Sequence, residues 1–223
     1  MDFTNFQWGG DQEQYVNQYI DDINQYSRFF EVEPGDLVVD IGASWGPFTY
    51  NNLDKGAKHF FCFEPSRTIL PLLVKNTMGH PVTHISKAIS NSDGQKFMPG
   101  VYYEGPGGEL IETIKFSTFL KLYGIERIDF LKTDCEGGEY DIFCEENMEF
   151  IKSKVKKIVG EWHLSEVDKE RFRNFRDNIL PQFPNFEVFS LNGVNIKWDL
   201  WNEHFIEYYT CVIFHIDNRE QVI

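Results

Sequence analysis

The stretch that most constrains the fold of this chain runs from residue 36 to residue 66. An apolar run ends on Asp40, a glycine-bearing turn follows at residues 42–46, and a second apolar run ends on Glu64. This order of strand, tight turn, helix and strand predicts a βαβ unit with a carboxylate at the end of each strand. Nucleotide-type ligands bind at such strand ends in doubly wound sheets.

The turn indicates which kind of nucleotide it would hold. Gly42 and Gly46 stand where the chain turns sharply and where a helix approaches a strand or a ligand closely. Glu64 follows at roughly the 20 residues expected of a carboxylate that binds both ribose hydroxyls. The G-x-x-x-G spacing differs from the dinucleotide pattern G-x-G-x-x-G, and no Lys or Arg lies between Asp40 and Tyr50.

This charge pattern fits a pyrophosphate poorly, because a pyrophosphate needs donors and little negative charge around it. It fits S-adenosylmethionine better, since carboxylates attract the sulfonium and ammonium groups of that compound. The alternative is an ordinary βαβ unit that binds no ligand.

Composition and charge limit the classes of protein and partner. A chain of 223 residues with 42% hydrophobic content predicts a single α/β domain over 1–223, with an N-terminal helical cap (1–33) and a core (34–223). The net charge of −14 argues against nucleic acid as a partner, because a phosphate backbone demands a basic surface. We expect neither a membrane span nor a signal peptide. The four scattered cysteines favour reduced thiols and a cytoplasmic location.

Several segments outside the βαβ unit have patterns that predict secondary structure. Apolar spacing across 11–30 predicts an amphipathic helix, which either covers a ligand or, as we prefer, packs on the sheet. Residues 95–113 predict an irregular loop or a hairpin, and 165–180 a charged amphipathic helix. Residues 186–198 predict a hairpin around an Asn-Gly turn, and 205–216 the final strand.

Polar or acidic motifs follow five successive apolar runs of the chain. The motifs are Asp40, Glu64, Ser86-Lys87-Ala88, Asp134-Cys135-Glu136 and Glu161-Trp162-His163. If the strands are parallel, all of these motifs lie at one edge of the sheet. Open α/β sheets bind their ligands at that edge, so the pattern predicts one site built from distant parts of the sequence.

Several of these motifs carry a family resemblance. VVDIGASWGPFT, FEP, S-x-A-I-S, IDFLKTDCEGGEYDIF and GEWH resemble the FkbM family of S-adenosylmethionine-dependent methyltransferases, roughly over residues 35–165. The segment K-x-D-x-E-G-x-E, from Lys132 to Glu139, is the most specific part. Ser44-Trp45 depart from the family, which more often has Asn and an aliphatic residue there.

The resemblance implies a fold and an activity. The fold is a Rossmann-like doubly wound mixed sheet of seven strands, the last antiparallel, with helices on both faces. The activity is O-methylation by in-line methyl transfer to a hydroxyl of a sugar, glycan or related small molecule.

The resemblance also implies roles for individual residues. Glu64 would hold the ribose diol, and Asp134 would border the transferred methyl group. The other cofactor-binding residues would be Asp40, Gly42, Ala43, Ser44 and Gly46 at the methionine and sulfonium end, with Ser86 and Ala88 near adenine.

Methyl transfer to a hydroxyl benefits from a general base. His163 is the first candidate because imidazole titrates near neutral pH, and Asp134 is the second. A hydrogen-bonded structural role is the alternative for His163. Glu139 is interpreted as a carboxylate that complements a helix N-terminus.

Two further questions stay open at this stage. Crowded carboxylates repel unless a proton or cation intervenes, so a divalent cation, Mg²⁺ or Mn²⁺ by ligand type, is an alternative for Asp134, Glu136, Glu161 and His163. The competing functions are an NAD-dependent oxidoreductase and a non-catalytic module that binds S-adenosylmethionine.

Overall fold

The computed structural model describes residues 3–9, 16–98 and 108–222. Within those ranges the strands are β1 (Leu37–Ile41), β2 (His59–Phe63), β3 (Val82–Ile85), β4 (Ala88–Ile89), β5 (Gly94–Met98), β6 (Glu109–Ile114), β7 (Ile128–Thr133), β8 (Val155–His163), β9 (Asn185–Ser190) and β10 (Cys211–Asp217). The α-helices are α1 (Val16–Tyr26), α2 (Pro47–Asn52), α3 (Leu70–Asn76), α4 (Phe116–Tyr123), α5 (Glu139–Ile142), α6 (Glu145–Lys154), α7 (Lys169–Asn174) and α8 (His204–Tyr208). No helix in these ranges has the length and apolar character to cross a membrane.

A mixed sheet of seven strands, in the order β3-β2-β1-β7-β8-β10-β9, forms the centre of the fold. Strands β3, β2, β1, β7 and β8 pair in parallel, whereas β10 is antiparallel to both β8 and β9. The predicted seven-stranded sheet with an antiparallel last strand is therefore confirmed. Because the five predicted strands are parallel, their carboxyl ends share one edge.

The central strands are continuous apolar runs because both faces of the sheet are covered. Val38 and Val39 point to opposite faces, and both are fully buried. Helices α1, α2 and α3 supply apolar side chains to the cluster on one face, and α4 to α8 supply the cluster on the other. The predicted helices on both faces are thus present.

The N-terminal helix packs on the sheet rather than standing clear of it. Ile23 and Tyr26 of α1 are buried, and the ring of Tyr26 meets that of Phe48 edge to face. Residues 11–15 of the predicted helix lie outside the described part of the chain.

A small second sheet, in the order β4-β6-β5, lies beside the first and was not expected. Strands β5 and β6 pair antiparallel from Gly94↔Thr113 to Met98↔Glu109. Of the two alternatives for residues 95–113, the hairpin is therefore correct for the residues that are described, 95–98 and 108–113. Residues 99–107, with most of the glycines that suggested a loop, lie outside the described residues.

The predicted hairpin over 186–198 is only half present. Strand β9 forms and the chain turns at Gly193, but the returning arm makes only an isolated bridge, Phe189↔Asn195. The returning arm then enters a 3₁₀ turn, and β9 pairs along its full length with β10 instead.

The strand predicted over 205–216 starts later in the structure than predicted. Its first residues belong to α8, where Phe205 and Ile206 are buried while Glu207 and Tyr208 are exposed, and the strand starts only at Cys211. The predicted helix over 165–180 is also interrupted, since α7 continues into a π-helical turn (Phe175–Ile179).

The turn after β1 touches the end of β7 directly. Gly42 has a left-handed φ of 76°, and a Cβ on it would lie 1.7 Å from the carbonyl oxygen of Asp134. Gly42 is therefore required both by backbone conformation and by close approach.

Gly42→Ala and Gly79→Ala separate those two requirements. Gly79 has a similar φ of 87° but open space around the position of a Cβ. We expect Gly79→Ala to lower the free energy of unfolding by about 1 kcal/mol, the cost of left-handed backbone. Gly42→Ala should cost more than about 3 kcal/mol, because backbone atoms must move apart. Urea denaturation measures both; equal losses would contradict the close approach.

Candidate functional site

A chain of direct contacts joins the strand-end residues that were predicted to form one site. The backbone amide of Ser44 donates to Glu64 (3.1 Å), and the Lys132 ammonium donates to the carbonyl of Gly42 (2.7 Å). The same ammonium lies 3.8 Å from the carboxylate of Asp134. The ends of β1, β2 and β7 therefore meet around the turn at 42–46.

The turn is held onto the end of β2 by its own amides. Gly42 and Ala43 both donate to the carbonyl of Phe63, at 3.1 and 2.8 Å. Ser44 and Gly46 have left-handed φ values of 51° and 85°. Such alternation of backbone conformation lets a turn approach a ligand closely, which is what the predicted cofactor contacts require.

Trp45, the residue that departs from the family pattern, faces the N-terminal segment 3–9. Its side chain is buried and its ring meets that of Trp8 edge to face, with centroids 6.3 Å apart. Asn76 donates to the carbonyls of Trp45 and Gln7 and accepts from the amide of Gln7. The N-terminal segment is thereby fixed to the turn.

Glu64 is oriented for a diol. Its two carboxylate oxygens accept from the amides of Ser66 (2.8 Å) and Ser44 (3.1 Å). A carboxylate offers about four acceptor positions, so two positions stay available for hydroxyl groups. The residue is 4% exposed, and burial raises the pKa of its carboxyl to about 7. The geometry fits the ribose of an adenosine cofactor.

Asp40 lies beneath the turn rather than in it. Its side chain is fully buried, accepts from the hydroxyl of Thr49 (2.7 Å) and lies 3.2 Å from the Lys132 ammonium. Although burial opposes it, Asp40 and Asp134 raise the pKa of Lys132 to about 12. Asp40 thus supports the turn through a buried ion pair, and its direct contact with a cofactor stays a prediction.

Ser86 and Ala88 lie at the same edge, one strand further out. The backbone amide of Glu64, the residue predicted to hold the ribose, donates to the carbonyl of Ile85. Ser86 directly follows Ile85 in the chain. Ser86 is exposed and Ala88 is half-buried in β4. Their predicted place near adenine is compatible with this position.

Asp134 stands between the turn and the N-terminal helix. It is 31% exposed, and its carboxylate accepts from the hydroxyl of Tyr26 (3.0 Å). Asp22 lies on α1 one turn before Tyr26 and is close to Asp134. Burial, together with the charge of Asp134, raises the pKa of Asp22 to about 7. Helix α1 therefore contributes both a phenol and a carboxyl group to the site.

Four carboxylates surround the ring of His163. Its Nε2 lies 3.3 Å from Glu136, 3.7 Å from Glu161 and 4.0 Å from Asp134, and its Nδ1 lies 3.3 Å from Glu139. The structure therefore brings together all four residues that were considered as metal ligands.

This surrounding changes how His163 titrates. Although burial alone would lower it, the carboxylates of Glu139, Asp134 and Glu136 raise the pKa of His163 to about 10. The ring is then an imidazolium at neutral pH and already carries its proton. The raised pKa favours Asp134 over His163 as the general base, and both residues stay predictions for that role.

Glu139 contacts His163 as well as the backbone at the start of α5. It is fully buried and accepts from the backbone amides of Cys135 (2.7 Å) and Gly137 (2.9 Å), as the helix N-terminal interpretation implies. It also contacts Nδ1 of His163 and so fixes the orientation of that ring.

Three residues of the site were not predicted from the sequence. Lys132 lies inside the K-x-D-x-E-G-x-E segment, so the motif contained a signal for it. Tyr26 lies on an ordinary amphipathic helix, and Cys211 opens β10, where it stands opposite His163 in the antiparallel register. The thiol of Cys211 donates to Glu161 (2.6 Å). Neither Tyr26 nor Cys211 has a local sequence signal.

The raised pKa of Glu64 makes a prediction about stability. An unfolded glutamate loses its proton near pH 4.3, whereas folded Glu64 keeps it until about pH 7. Its contribution to stability is therefore full at low pH and is lost as the pH rises through 7. Relative to Glu64→Gln, the wild type should lose about 3 kcal/mol of unfolding free energy between pH 4.5 and pH 8.

Urea denaturation at several pH values measures this difference. Glu126→Gln makes the same chemical change at an exposed position and should parallel the wild type. A Glu64→Gln profile parallel to the wild type would show that Glu64 ionises normally in the folded protein.

Comparisons with known proteins identify the fold. The fibrillarin/Nop5p complex structure matches with a TM-score of 0.52 at 13% identity, covering 95% of this chain and 91% of that chain. An rRNA methylase from Streptococcus thermophilus matches with a TM-score of 0.52 at 8% identity, covering 91% and 95%. A Listeria monocytogenes protein assigned as an S-adenosylmethionine-dependent methyltransferase matches with 0.51 at 8% identity, covering 90% and 98%.

At these identities the structures show a shared fold, the Rossmann-like fold of methyltransferases, and nothing about the methyl acceptor. A search of curated protein sequences gives no match. The family model for the methyltransferase FkbM domain, however, matches residues 40–190, well over half of the 223 residues. That match favours the methyltransferase prediction over the NAD-dependent oxidoreductase and the non-catalytic module. The chain belongs to the FkbM methyltransferase domain family and is an S-adenosylmethionine-dependent methyltransferase.

Proposed function

We propose that this enzyme methylates a hydroxyl group of a sugar, glycan or related small molecule. The observation that carries the proposal is the concentration of carboxyl groups at the edge beside the turn at 42–46. Asp134, Glu136 and Glu161 lie there together, with Asp22 next to Asp134. Such a site favours a cationic cofactor and an uncharged acceptor.

The cofactor would be held by the turn and by Glu64. S-adenosylmethionine supplies an electrophilic methyl group on a sulfonium centre. Glu64 would accept hydrogen bonds from the ribose hydroxyls, with its carboxylate already fixed by the amides of Ser44 and Ser66. The amino-acid end would lie along the left-handed turn, close to Asp134.

Asp134 is the residue we assign to the acceptor hydroxyl. As the new carbon–oxygen bond forms, the carbon–sulfur bond of the sulfonium would break and the neutral thioether would leave. The hydroxyl proton would pass to Asp134, and the carboxylate would then return it to solvent. Tyr26 and Lys132 fix the position of Asp134 on two sides. Positioning of this kind contributes on the order of 7–11 kcal/mol in well-oriented reactions, more than a single general base contributes.

Net charge is what favours a sugar over RNA as the acceptor. One of the structural neighbours described above is an rRNA methylase by its name, but at 8% identity it informs on fold alone. A net charge of −14 repels a phosphate backbone, whereas neutral hydroxyl compounds are indifferent to it.

The four cysteines are free, which fits a reducing cytoplasm.

Cofactor binding is tested by titration calorimetry with S-adenosylmethionine. We expect saturable binding at one site per chain, and Glu64→Ala should weaken it about 100-fold, since two charge-assisted hydrogen bonds are lost. Glu126→Ala, an exposed change of the same kind, should bind as the wild type does. Unaltered binding by Glu64→Ala would remove Glu64 from the cofactor site.

The acceptor class is tested with methyl-labelled cofactor. Transfer of label to mono- or oligosaccharides but not to total RNA is the expected result, and Asp134→Asn should lower kcat at least about 100-fold at saturating cofactor. Label in RNA, with none in the saccharides, would contradict the proposed acceptor while leaving the methyltransferase activity intact.

A further inference from the structure

Three side chains with metal-binding atoms meet on one face of the sheet. Glu161 and His163 are two residues apart on β8, so their side chains point to the same face of the sheet. Cys211 stands opposite His163 on β10. One ligand atom from each of the three lies within 4.8 Å of the others. A carboxylate, an imidazole and a thiol at such distances form the type of donor set that proteins use for zinc.

The imidazole of His163 is already oriented as a metal ligand would be. Its Nδ1 contacts the carboxylate of Glu139, which is fully buried and held in turn by two backbone amides. Its Nε2 consequently faces Glu136 at 3.3 Å and Glu161 at 3.7 Å. Metal-binding histidines commonly pair the other ring nitrogen with a carboxylate in this way, and the pairing fixes both the tautomer and the ring plane.

We propose that Glu161, His163 and Cys211 together bind one divalent transition-metal ion, with Zn²⁺ as the ion that this donor set fits best. Asp134, whose carboxylate lies 4.0 Å from Nε2 of His163, is a fourth side chain next to these ligands. It completes the coordination or leaves that position to a water or hydroxyl group.

The thiol decides which metal is favoured. The set considered from the sequence contains only oxygen ligands and one imidazole, and it suits Mg²⁺ or Mn²⁺. Cys211 adds a sulfur donor, and thiolate ligands select softer ions such as Zn²⁺. We therefore replace the hard-cation alternative considered from the sequence with a transition-metal site that includes the last strand.

The electrostatics of the cluster favour the ion as well. Glu161, Asp134 and Glu136 all lie within 4.0 Å of Nε2 of His163, and the Lys132 ammonium lies beside only one of them, 3.8 Å from Asp134. On binding, Zn²⁺ replaces the protons on Nε2 and on the thiol, and both protons leave to solvent. The divalent charge then stands where three carboxylates converge.

The proposed metal site goes beyond the proposed function and does not depend on it. If that function holds, the ion lies on the acceptor side of the site, where a metal would polarise a bound hydroxyl. Metal binding is therefore measured without cofactor or acceptor, so that its failure is separate from any failure of methyl transfer.

The test uses the tag-free full chain, stripped with a chelator and dialysed against micromolar Zn²⁺. Mass spectrometric metal analysis should give one Zn²⁺ per chain for the wild type and for Cys144→Ser, a half-buried cysteine outside the cluster. Cys211→Ser and His163→Gln should retain less than about a tenth as much. Zn²⁺ should also raise the melting temperature of the wild type and not that of these two variants.

Substitution with Co²⁺ identifies the sulfur ligand. The wild type and Cys144→Ser should show a thiolate-to-cobalt charge-transfer band, and Cys211→Ser should lack it. A wild type that retains no Zn²⁺, or that binds Co²⁺ without this band, overturns the proposal even if the variants misfold. Folded Cys211→Ser that retains Zn²⁺ as the wild type does overturns it as well.

Discussion

The site depends above all on one buried ammonium group. Lys132 donates to the carbonyl of Gly42 and lies beside Asp40 and Asp134, so a single charge joins the turn after β1 to the end of β7. Breaking a buried pair of this kind costs about 3–5 kcal/mol, because an unpaired charge is left behind. The acidic edge exists in its present form because this cation lies beside Asp40 and Asp134 and leaves Glu136 and Glu161 to the ring of His163.

Much of the fold was predictable because its signals are local. Apolar runs that end in polar residues identified β1, β2, β3, β7 and β8, and parallel pairing then placed those ends at one edge. Apart from the small second sheet and the interrupted helix over 165–180, the errors lie after residue 185, where local patterns have two solutions. The Asn-Gly turn suited a hairpin, yet β10 offered β9 a longer partner, and the apolar residues that open the last segment also fit a helix.

The site residues that could be predicted from the sequence are those at the ends of strands. Glu64, Asp134 and His163 were found in that way, whereas Tyr26 and Cys211 come from a helix and an antiparallel strand that carry no motif. The chemistry of His163 was harder still to foresee. Its charge state depends on four carboxylates from separate places in the fold, and no property of the residue itself reveals them.

The placement of β10 between β8 and β9 has a consequence for biosynthesis. The segment that contains every recognisable motif leaves the ribosome before the strand that fills this gap. Until Cys211 and the residues after it emerge, β8 presents an unpaired edge and its carboxylate and imidazole lack their thiol neighbour. The nascent polypeptide therefore assembles the cofactor side of its crevice first and completes the opposite wall only after β10 has been synthesised.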